Sequence, residues 1–208
     1  MSEIEIIPGQ GPDPRGVLVI HSWWGLTDAF RDYGAALAEA GFTVGLADLY
    51  GGHIARTEAE VARLRRAPRK VPMYRTLLAG LDRLRQEAEG PVGVVGFSMG
   101  GHWAVWLGQR AEADVDAVVM YYAARSGDFS QVRAAWLAHF AEQDDFVKPT
   151  ARRAMVRGIE HRGLSVVTHD YPDTAHWFAE TSRPEYDPDA ARLALARDID
   201  FLNARLRP

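Results

Sequence analysis

The amino-acid sequence predicts an α/β fold with a mostly parallel central sheet of about seven strands and helices on both faces. Short continuous apolar runs, typical of strands covered on both sides, alternate along the chain with longer segments of helical periodicity. In the middle of the chain, the apolar run 91–97 leads through a glycine-rich turn with Ser98 at its tip into a helical pattern that begins near Met99. Because ligands of such sheets bind beyond the carboxyl ends of the strands, we expect the loops at those ends to carry the function.

Each element is predicted from its local pattern. The predicted strands are 4–7, 16–21, 42–47, 91–97, 115–122, 135–140 and 164–169. Thr27 is expected to cap a helix that continues to Ala40 and stops at Gly41. Two helices are predicted between Thr57 and Glu89, broken around Pro68 and Pro72. Further helices are predicted from Met99 onwards and over 150–161 and 189–206.

Length and composition predict one soluble domain over residues 1–208, since 208 residues with 47% hydrophobic content can bury a substantial core. The net charge of −4 gives no reason to expect nucleic acid or a membrane surface as a partner. The sequence has no cysteine, which excludes disulfides, thiolate catalysis and cysteine-based metal sites. The N-terminus lacks the pattern of a signal peptide and no apolar run is long enough for a membrane span, so we expect a cytoplasmic protein. No oligomeric state follows, and a monomer is compatible with the sequence.

The turn from Gly96 to Gly100 fits the G-x-S-x-G nucleophile elbow, in which a sharp strand-to-helix turn presents a serine hydroxyl. Small residues at the two glycine positions let the strand and the helix pass closely, and backbone N–H groups at the helix start can hold a developing oxyanion. We therefore interpret Ser98 as a nucleophile. A serine hydroxyl needs a base to take its proton and a group that orients the base.

Chain order points to the partners of Ser98, because this arrangement runs Ser, acid, His along the sequence. Asp144 and Asp145 both follow the strand 135–140, and either could be the acid. His176 follows the last predicted strand and is the expected base, with Asp173 as a rival orienter that more plausibly shapes the turn. The other histidines fit less well as a base.

Several aromatic residues flank this proposed site in the sequence. Residues expected to line a substrate pocket are His21, Trp24, Tyr121 and Trp177, together with Trp23. The helical spacing of Trp103 and Trp106 favours core positions instead. The basic cluster 63–70 is either a positive lip that attracts carboxylate esters or, as we favour, a solvated helix face.

Together these motifs resemble the dienelactone hydrolase family of α/β-hydrolases over nearly the whole chain. The matching segments are 21–26, 47–50, 93–101, 121–122, 143–147, 175–178 and 183–187. The resemblance implies an α/β-hydrolase fold without a large lid, with Ser98 as nucleophile, Asp144 rather than Asp145 as the acid, and His176 as base. It also implies that the backbone N–H groups of Trp23 and Met99 form the oxyanion hole.

The chain departs from this family pattern at two places. The founding members use a cysteine nucleophile held by a glutamate at the position of Ser22, and they bind a substrate carboxylate through an arginine at the position of Glu180. These differences argue against dienelactone itself as the substrate. We predict a hydrolase that cleaves a small carboxylic ester or lactone through an acyl-serine intermediate, with no metal or organic cofactor. A thioesterase or acyltransferase with the same triad, and a catalytically silent small-molecule-binding protein on this fold, are the alternatives.

Overall fold

A computed structural model of the chain describes residues 4–10, 15–66, 70–88 and 90–207, without the side chains of residues 65, 66 and 70. The strands are β1 (Ile4–Ile7), β2 (Arg15–Ile20), β3 (Phe42–Ala47), β4 (Val92–Phe97), β5 (Ala117–Tyr121), β6 (Ala135–Gln143) and β7 (Val166–Ala175). The helices are α1 (Asp28–Glu39), α2 (Glu58–Arg66), α3 (Lys70–Glu87), α4 (Met99–Gly108), α5 (Pro149–Glu160) and α6 (Pro188–Arg205). None of these described helices is both long and apolar enough to span a membrane.

The strands form one seven-stranded sheet in the order β1-β3-β2-β4-β5-β6-β7, in which only β1 is antiparallel to its neighbour. This confirms the predicted fold class. Leu18, Val94 and Val118 lie in register across β2, β4 and β5 and therefore share one face of the sheet. Leu18 packs near Gly80 of α3, and Val118 near Gly108 of α4.

The opposite face of the sheet is covered by α1 and α6. Val44 of β3 packs near Gly34 of α1, and Gly93 of β4 lies against Leu202 of α6. The strand residues that contact α1 and α6 alternate with those that contact α3 and α4, and therefore point to the opposite face. Strands β2 to β5 are thus enclosed between two helical layers. This burial explains why their sequences are continuous apolar runs rather than alternating ones.

Most predicted bounds agree with the structure to within two residues, but the last two strands are longer than expected. β6 continues past Phe140 to Gln143, and β7 continues past His169 to Ala175, so the predicted loop before His176 is largely strand. Pairing between the two strands persists through a register irregularity between Ala141 and Gln143. β7 lies at the edge of the sheet, where Pro172 is tolerated because an edge strand needs hydrogen bonds on one side only.

Two further expectations were wrong in detail. Thr27 lies at the N-cap position of α1, but its buried hydroxyl makes no capping hydrogen bond. Pro72 does not break a helix, since it lies in the first turn of α3, where the missing N–H is tolerated. The break expected at Pro68, the end expected at Glu89 and the side chains of most of the basic cluster lie outside the described residues.

Candidate active site

Ser98 lies between the last residue of β4 and the first residue of α4, with φ 52° and ψ −110°. A positive φ is unfavourable for a residue with a Cβ atom, so this backbone is strained. The neighbouring chain holds Ser98 in place, because its N–H donates to Tyr121 O at 3.0 Å and its carbonyl accepts from His102 N at 3.1 Å. The strand and the helix thus force the hydroxyl to the carboxyl edge of the sheet.

The glycines on either side of Ser98 make this turn sterically possible. A Cβ atom at Gly96 would lie 2.1 Å from Gly100 O, and one at Gly100 would lie 2.2 Å from Ile20 O. Both contacts are with backbone atoms, which cannot rotate away. Any larger residue at these positions would therefore separate α4 from β2 and β4.

Ser98, His176 and Asp144 form a chain of hydrogen-bonding contacts. Ser98 Oγ lies 2.8 Å from His176 Nε2, although the two residues are 78 positions apart. His176 Nδ1 lies 3.0 Å from each carboxylate oxygen of Asp144. Ser98 and His176 are each only 5% exposed, so bulk water competes little for these contacts.

The Asp144 side chain is fully buried. Burial alone would raise its pKa, but the hydrogen bond and charge of His176, together with the backbone N–H groups of Phe146 and Val147, outweigh burial and lower the pKa below its usual value. These two N–H groups donate to Oδ1 at 2.9 and 3.0 Å. Asp144 is thereby kept as a carboxylate facing His176, whereas Asp145 and Asp173 are exposed.

The two segments that carry the expected oxyanion donors begin at the ends of neighbouring strands. Ile20 of β2 pairs with Gly96 of β4. Trp23 comes three residues after Ile20, and Met99 comes three residues after Gly96. Met99 is the first residue of α4, where backbone N–H groups have no acceptor within the helix. The loop after β2 and the start of α4 therefore lie on neighbouring sides of Ser98.

An aromatic cluster covers one side of His176. Trp23, Trp177 and Phe146 are in mutual ring contact, with centroids 5.1 to 6.4 Å apart, and Trp24 lies 5.4 Å from Trp177. Phe146 also lies 4.7 Å from the His176 ring and is 52% exposed. Phe146 was not predicted to line this site, although its position two residues after Asp144 was a usable signal.

Two residues predicted to line the pocket are core residues instead. His21 is fully buried, with Nδ1 2.6 Å from Ser22 O and Nε2 accepting from Leu49 N at 3.0 Å. Burial lowers the pKa of His21 to about 4, so its ring is neutral and structural. Tyr121 is 1% exposed, and its hydroxyl donates to buried Asp198. For a residue at the end of an apolar strand, the sequence alone does not indicate whether the side chain points into the site or into the core.

The burial of Glu180 was not predicted from the sequence. Its side chain is fully buried and contacts Ser22 of the loop after β2. Ser22 Oγ donates to one Glu180 oxygen at 2.7 Å, and the Tyr122 hydroxyl donates to the other at 2.9 Å. Burial raises the pKa of Glu180 to about 7, although these two hydrogen bonds and the charge of Arg183 oppose the rise. The Tyr122 ring lies 4.8 Å from the His176 ring. Tyr122 therefore connects the buried carboxyl group of Glu180 to His176.

No cluster of three or more histidine or carboxylate side chains among the residues described is placed to hold a metal ion. The contacts among Ser98, His176 and Asp144 have the geometry that nucleophilic acyl transfer requires of a serine, a base and an orienting carboxylate.

The chain is similar to one family of known proteins over almost its whole length. A family model described as the dienelactone hydrolase family matches residues 6–206. The carboxymethylenebutenolidase of Pseudomonas putida is 27% identical over 210 residues, which cover 94% of this chain and 87% of that protein. A dienelactone hydrolase-like promiscuous phosphotriesterase from metagenomic libraries superposes with a TM-score of 0.81 at 20% identity, covering 95% of this chain and 89% of that one. The dienelactone hydrolase of Anabaena variabilis superposes with a TM-score of 0.68 at 20% identity, covering 97% and 91%.

Proposed function

The chain belongs to the dienelactone hydrolase family, and we propose that Ser98, His176 and Asp144 form the triad with which it hydrolyses a small carboxylic ester or lactone. The observation that carries this proposal is the pair of contacts at His176, with Ser98 Oγ at 2.8 Å from Nε2 and Asp144 at 3.0 Å from Nδ1. With Nδ1–H facing the carboxylate, Nε2 is left to accept the serine proton.

The proposed reaction has two halves. Ser98 Oγ attacks the carbonyl carbon of the substrate while His176 Nε2 takes the hydroxyl proton. The bond to the leaving oxygen then breaks, that oxygen receives the proton from His176, and an acyl-serine remains. Water attacks the acyl carbon, gives its proton to His176, and this proton returns to Ser98 as the carboxylic acid product leaves.

The tetrahedral intermediates place negative charge on the former carbonyl oxygen. We assign the backbone N–H groups of Met99 and Trp23 to hold it, because the start of α4 and the loop after β2 flank Ser98. The N-terminus of α4 adds a favourable dipole for this charge. Asp144 stabilises the imidazolium that forms on His176 in each half-reaction.

The substrate is expected to be a small ester or lactone that approaches Ser98 beside the aromatic cluster of Trp23, Trp177 and Phe146. Carboxymethylenebutenolide, for which the Pseudomonas putida relative is named, belongs in a substrate screen. Ser98 as nucleophile and Glu180 in place of a substrate-binding arginine favour other lactones or esters over it.

A fluorophosphonate probe tests the activated serine directly. Intact mass should show one label per chain for the wild type and for the exposed-serine control Ser165→Ala, and none for Ser98→Ala. Hydrolysis of 4-nitrophenyl acetate should be lost with the label. A folded wild type that takes no label would contradict the triad and favour a catalytically silent binding protein. An oxygen ester and a thioester of the same acyl group then separate an esterase from a thioesterase.

A further inference from the structure

A cleft with apolar walls and a single cationic end lies beside α4. It encloses about 250 Å³ and is lined by Val71, Tyr74, Trp103, Trp106 and Arg125. The Tyr74 and Trp103 rings both stand edge-on to Trp106, with centroids 4.3 and 5.3 Å from it. Trp103 and Trp106 are half-buried rather than core residues, which corrects the expectation from their helical spacing.

Arg125, which lines this cleft, has no direct counter-ion among the described residues. Its Nε atom is buried and makes no hydrogen bond, and no carboxylate in the described part of the chain forms an ion pair with it. Burial and the positive charge of Arg110 both lower the pKa of Arg125, although an arginine remains protonated in a protein. A half-buried guanidinium next to a second arginine is electrostatically unfavourable, and an anion placed there would relieve it.

Two acidic residues, Glu112 and Asp128, line an adjoining cleft together with Arg125, but neither forms an ion pair with it. Glu112 accepts a 2.9 Å hydrogen bond from the Tyr74 hydroxyl. Asp128 accepts hydrogen bonds from the N–H and the hydroxyl of Ser130 at 2.7 and 2.9 Å. Arg110 is among the charges that lower the pKa values of these two carboxyl groups. Because neither carboxylate pairs directly with Arg125, its guanidinium can bind an anionic ligand.

The cleft is within reach of the proposed nucleophile. Trp103 and Trp106 follow Ser98 by five and eight residues on α4, which corresponds to about 8 to 12 Å along the helix axis. His102 lies on the same helix, and partial burial together with the charges of Arg125 and His176 lowers its pKa. Arg125 and the proposed base therefore both act on the His102 side chain. An extended ligand that occupies the cleft can thus reach Ser98 with its other end.

We propose that this cleft binds the distal carboxylate of an elongated substrate, with an aliphatic chain against Trp103 and Trp106 and the anion on Arg125. This inference rests on the proposed function and narrows its substrate class to esters or lactones whose acyl part ends in a carboxylate several carbons from the scissile bond. The apolar walls bind the methylene chain, and the arginine distinguishes a charged end from a neutral one.

The test compares two esters that differ only at the far end. The 4-nitrophenyl monoester of suberic acid ends in a carboxylate, whereas its methyl-capped diester ends in a neutral group of similar length. For the wild type we expect kcat/KM about tenfold or more higher for the charged ester, since a charged hydrogen bond of this kind contributes about that factor. The preference should weaken as salt is added. In Arg125→Gln it should disappear, while hydrolysis of the capped ester and of 4-nitrophenyl acetate stays unchanged.

Arg153→Gln is the matched control, because Arg153 is an exposed arginine of α5 that lines a different cleft, one that neither Ser98 nor His176 touches. It should keep the preference of the wild type. A wild type that cleaves the acetate but treats both long esters alike, or an Arg125→Gln variant that loses activity on both equally, would overturn the inference and leave the proposed function standing.

Calorimetric titration of suberate into Ser98→Ala protein tests the cleft without turnover. Binding that Arg125→Gln weakens about tenfold, and Arg153→Gln does not, supports the site even if 4-nitrophenyl acetate is not hydrolysed and the triad proposal fails. Equal binding to all three proteins would refute it.

Discussion

The hydroxyl of Ser22 donates a 2.7 Å hydrogen bond to the carboxyl group of Glu180, and both side chains are fully buried. Burial raises the pKa of Glu180 from 4.5 to about 7 in the folded protein. The folded state therefore holds this proton more tightly than the unfolded state. The resulting stabilisation is complete below pH 4.5 and is lost as the pH rises through about 7.

We therefore predict that Glu180→Gln removes part of the pH dependence of stability. Between pH 4.5 and 8 the wild type should lose up to about 3 kcal/mol of unfolding free energy that the variant retains, because the amide cannot ionise. Urea unfolding of both proteins across this range measures the difference. The exposed Glu160→Gln should follow the wild type. Identical pH dependence for wild type and Glu180→Gln would show that Glu180 does not titrate in this range.

The two neighbouring aspartates of the acid loop should respond very differently to the same change. Asp144→Asn should reduce kcat/KM for 4-nitrophenyl acetate by about 10²- to 10⁴-fold, because an amide no longer holds the tautomer of His176 or stabilises its cation. Asp145→Asn should change it by less than about twofold, since that side chain is exposed. A larger loss for Asp145→Asn would overturn the choice of acid.

The sequence predicted the sheet well because its strands are buried on both sides. Continuous apolar runs leave few alternatives when turn signals separate them from the helices, as Gly41 does between α1 and β3. The ends of β6 and β7 were harder to predict from the sequence. β7 is a half-exposed edge strand, and its residues Asp170 to Thr174 have the polar composition of a loop. Pairing with β6 through a register irregularity decides that segment, and no local pattern reports it.

At the candidate site, chain order and turn chemistry nominated Ser98 and His176 but left the acid open between Asp144 and Asp145, and the family resemblance then favoured Asp144. The structure brings Ser98, His176 and Asp144 into contact. Their catalytic roles remain predictions. Distant partners that belong to no recognised motif were not predicted. Ser22 donates a hydrogen bond to Glu180, which lies 158 positions away in the sequence. Tyr121 donates one to Asp198, which lies 77 positions away.

The strained backbone of Ser98 should be measurable as stability. At φ 52° and ψ −110°, a residue without a Cβ atom avoids the steric penalty. We expect Ser98→Gly to be about 1 to 2 kcal/mol more stable than Ser98→Ala by urea unfolding, even though both lack the nucleophile. Equal stability of the two variants would mean that the turn relaxes when the serine is removed.

A second buried network should contribute strongly to stability without touching the proposed chemistry. Asp198 of α6 accepts hydrogen bonds from the hydroxyls of Tyr33 and Tyr121, and its other oxygen lies 2.7 Å from His139 Nε2. Asp198→Asn should lower the unfolding free energy by about 3 kcal/mol, because a buried cluster of donors loses its charged acceptor.

The matched control for this network is Asp200→Asn, an exposed carboxylate on the same helix, which should change stability by less than about 0.5 kcal/mol. Tyr33→Phe removes a single hydrogen-bond donor to Asp198. Its loss of unfolding free energy should lie between those of the other two variants, at about 1 kcal/mol. Equal effects of Asp198→Asn and Asp200→Asn would contradict a structural role for the buried cluster.

The close passage of α4 over β2 predicts a large effect of one added methyl group. In Gly100→Ala the new Cβ atom would lie 2.2 Å from Ile20 O and 2.6 Å from His21 O, so α4 must move away from the strand that leads into the loop of Trp23. We expect a loss of at least about 3 kcal/mol in unfolding free energy and, in any folded fraction, weaker fluorophosphonate labelling.

Gly163→Ala separates this collision from backbone strain alone. Gly163 has φ 74°, and an added Cβ atom there meets no atom within 4 Å, so the substitution should cost only about 1 kcal/mol. If Gly100→Ala were no more destabilising than Gly163→Ala, α4 would have room to shift. The spacing of strand and helix at Ser98 would then not be what fixes the turn.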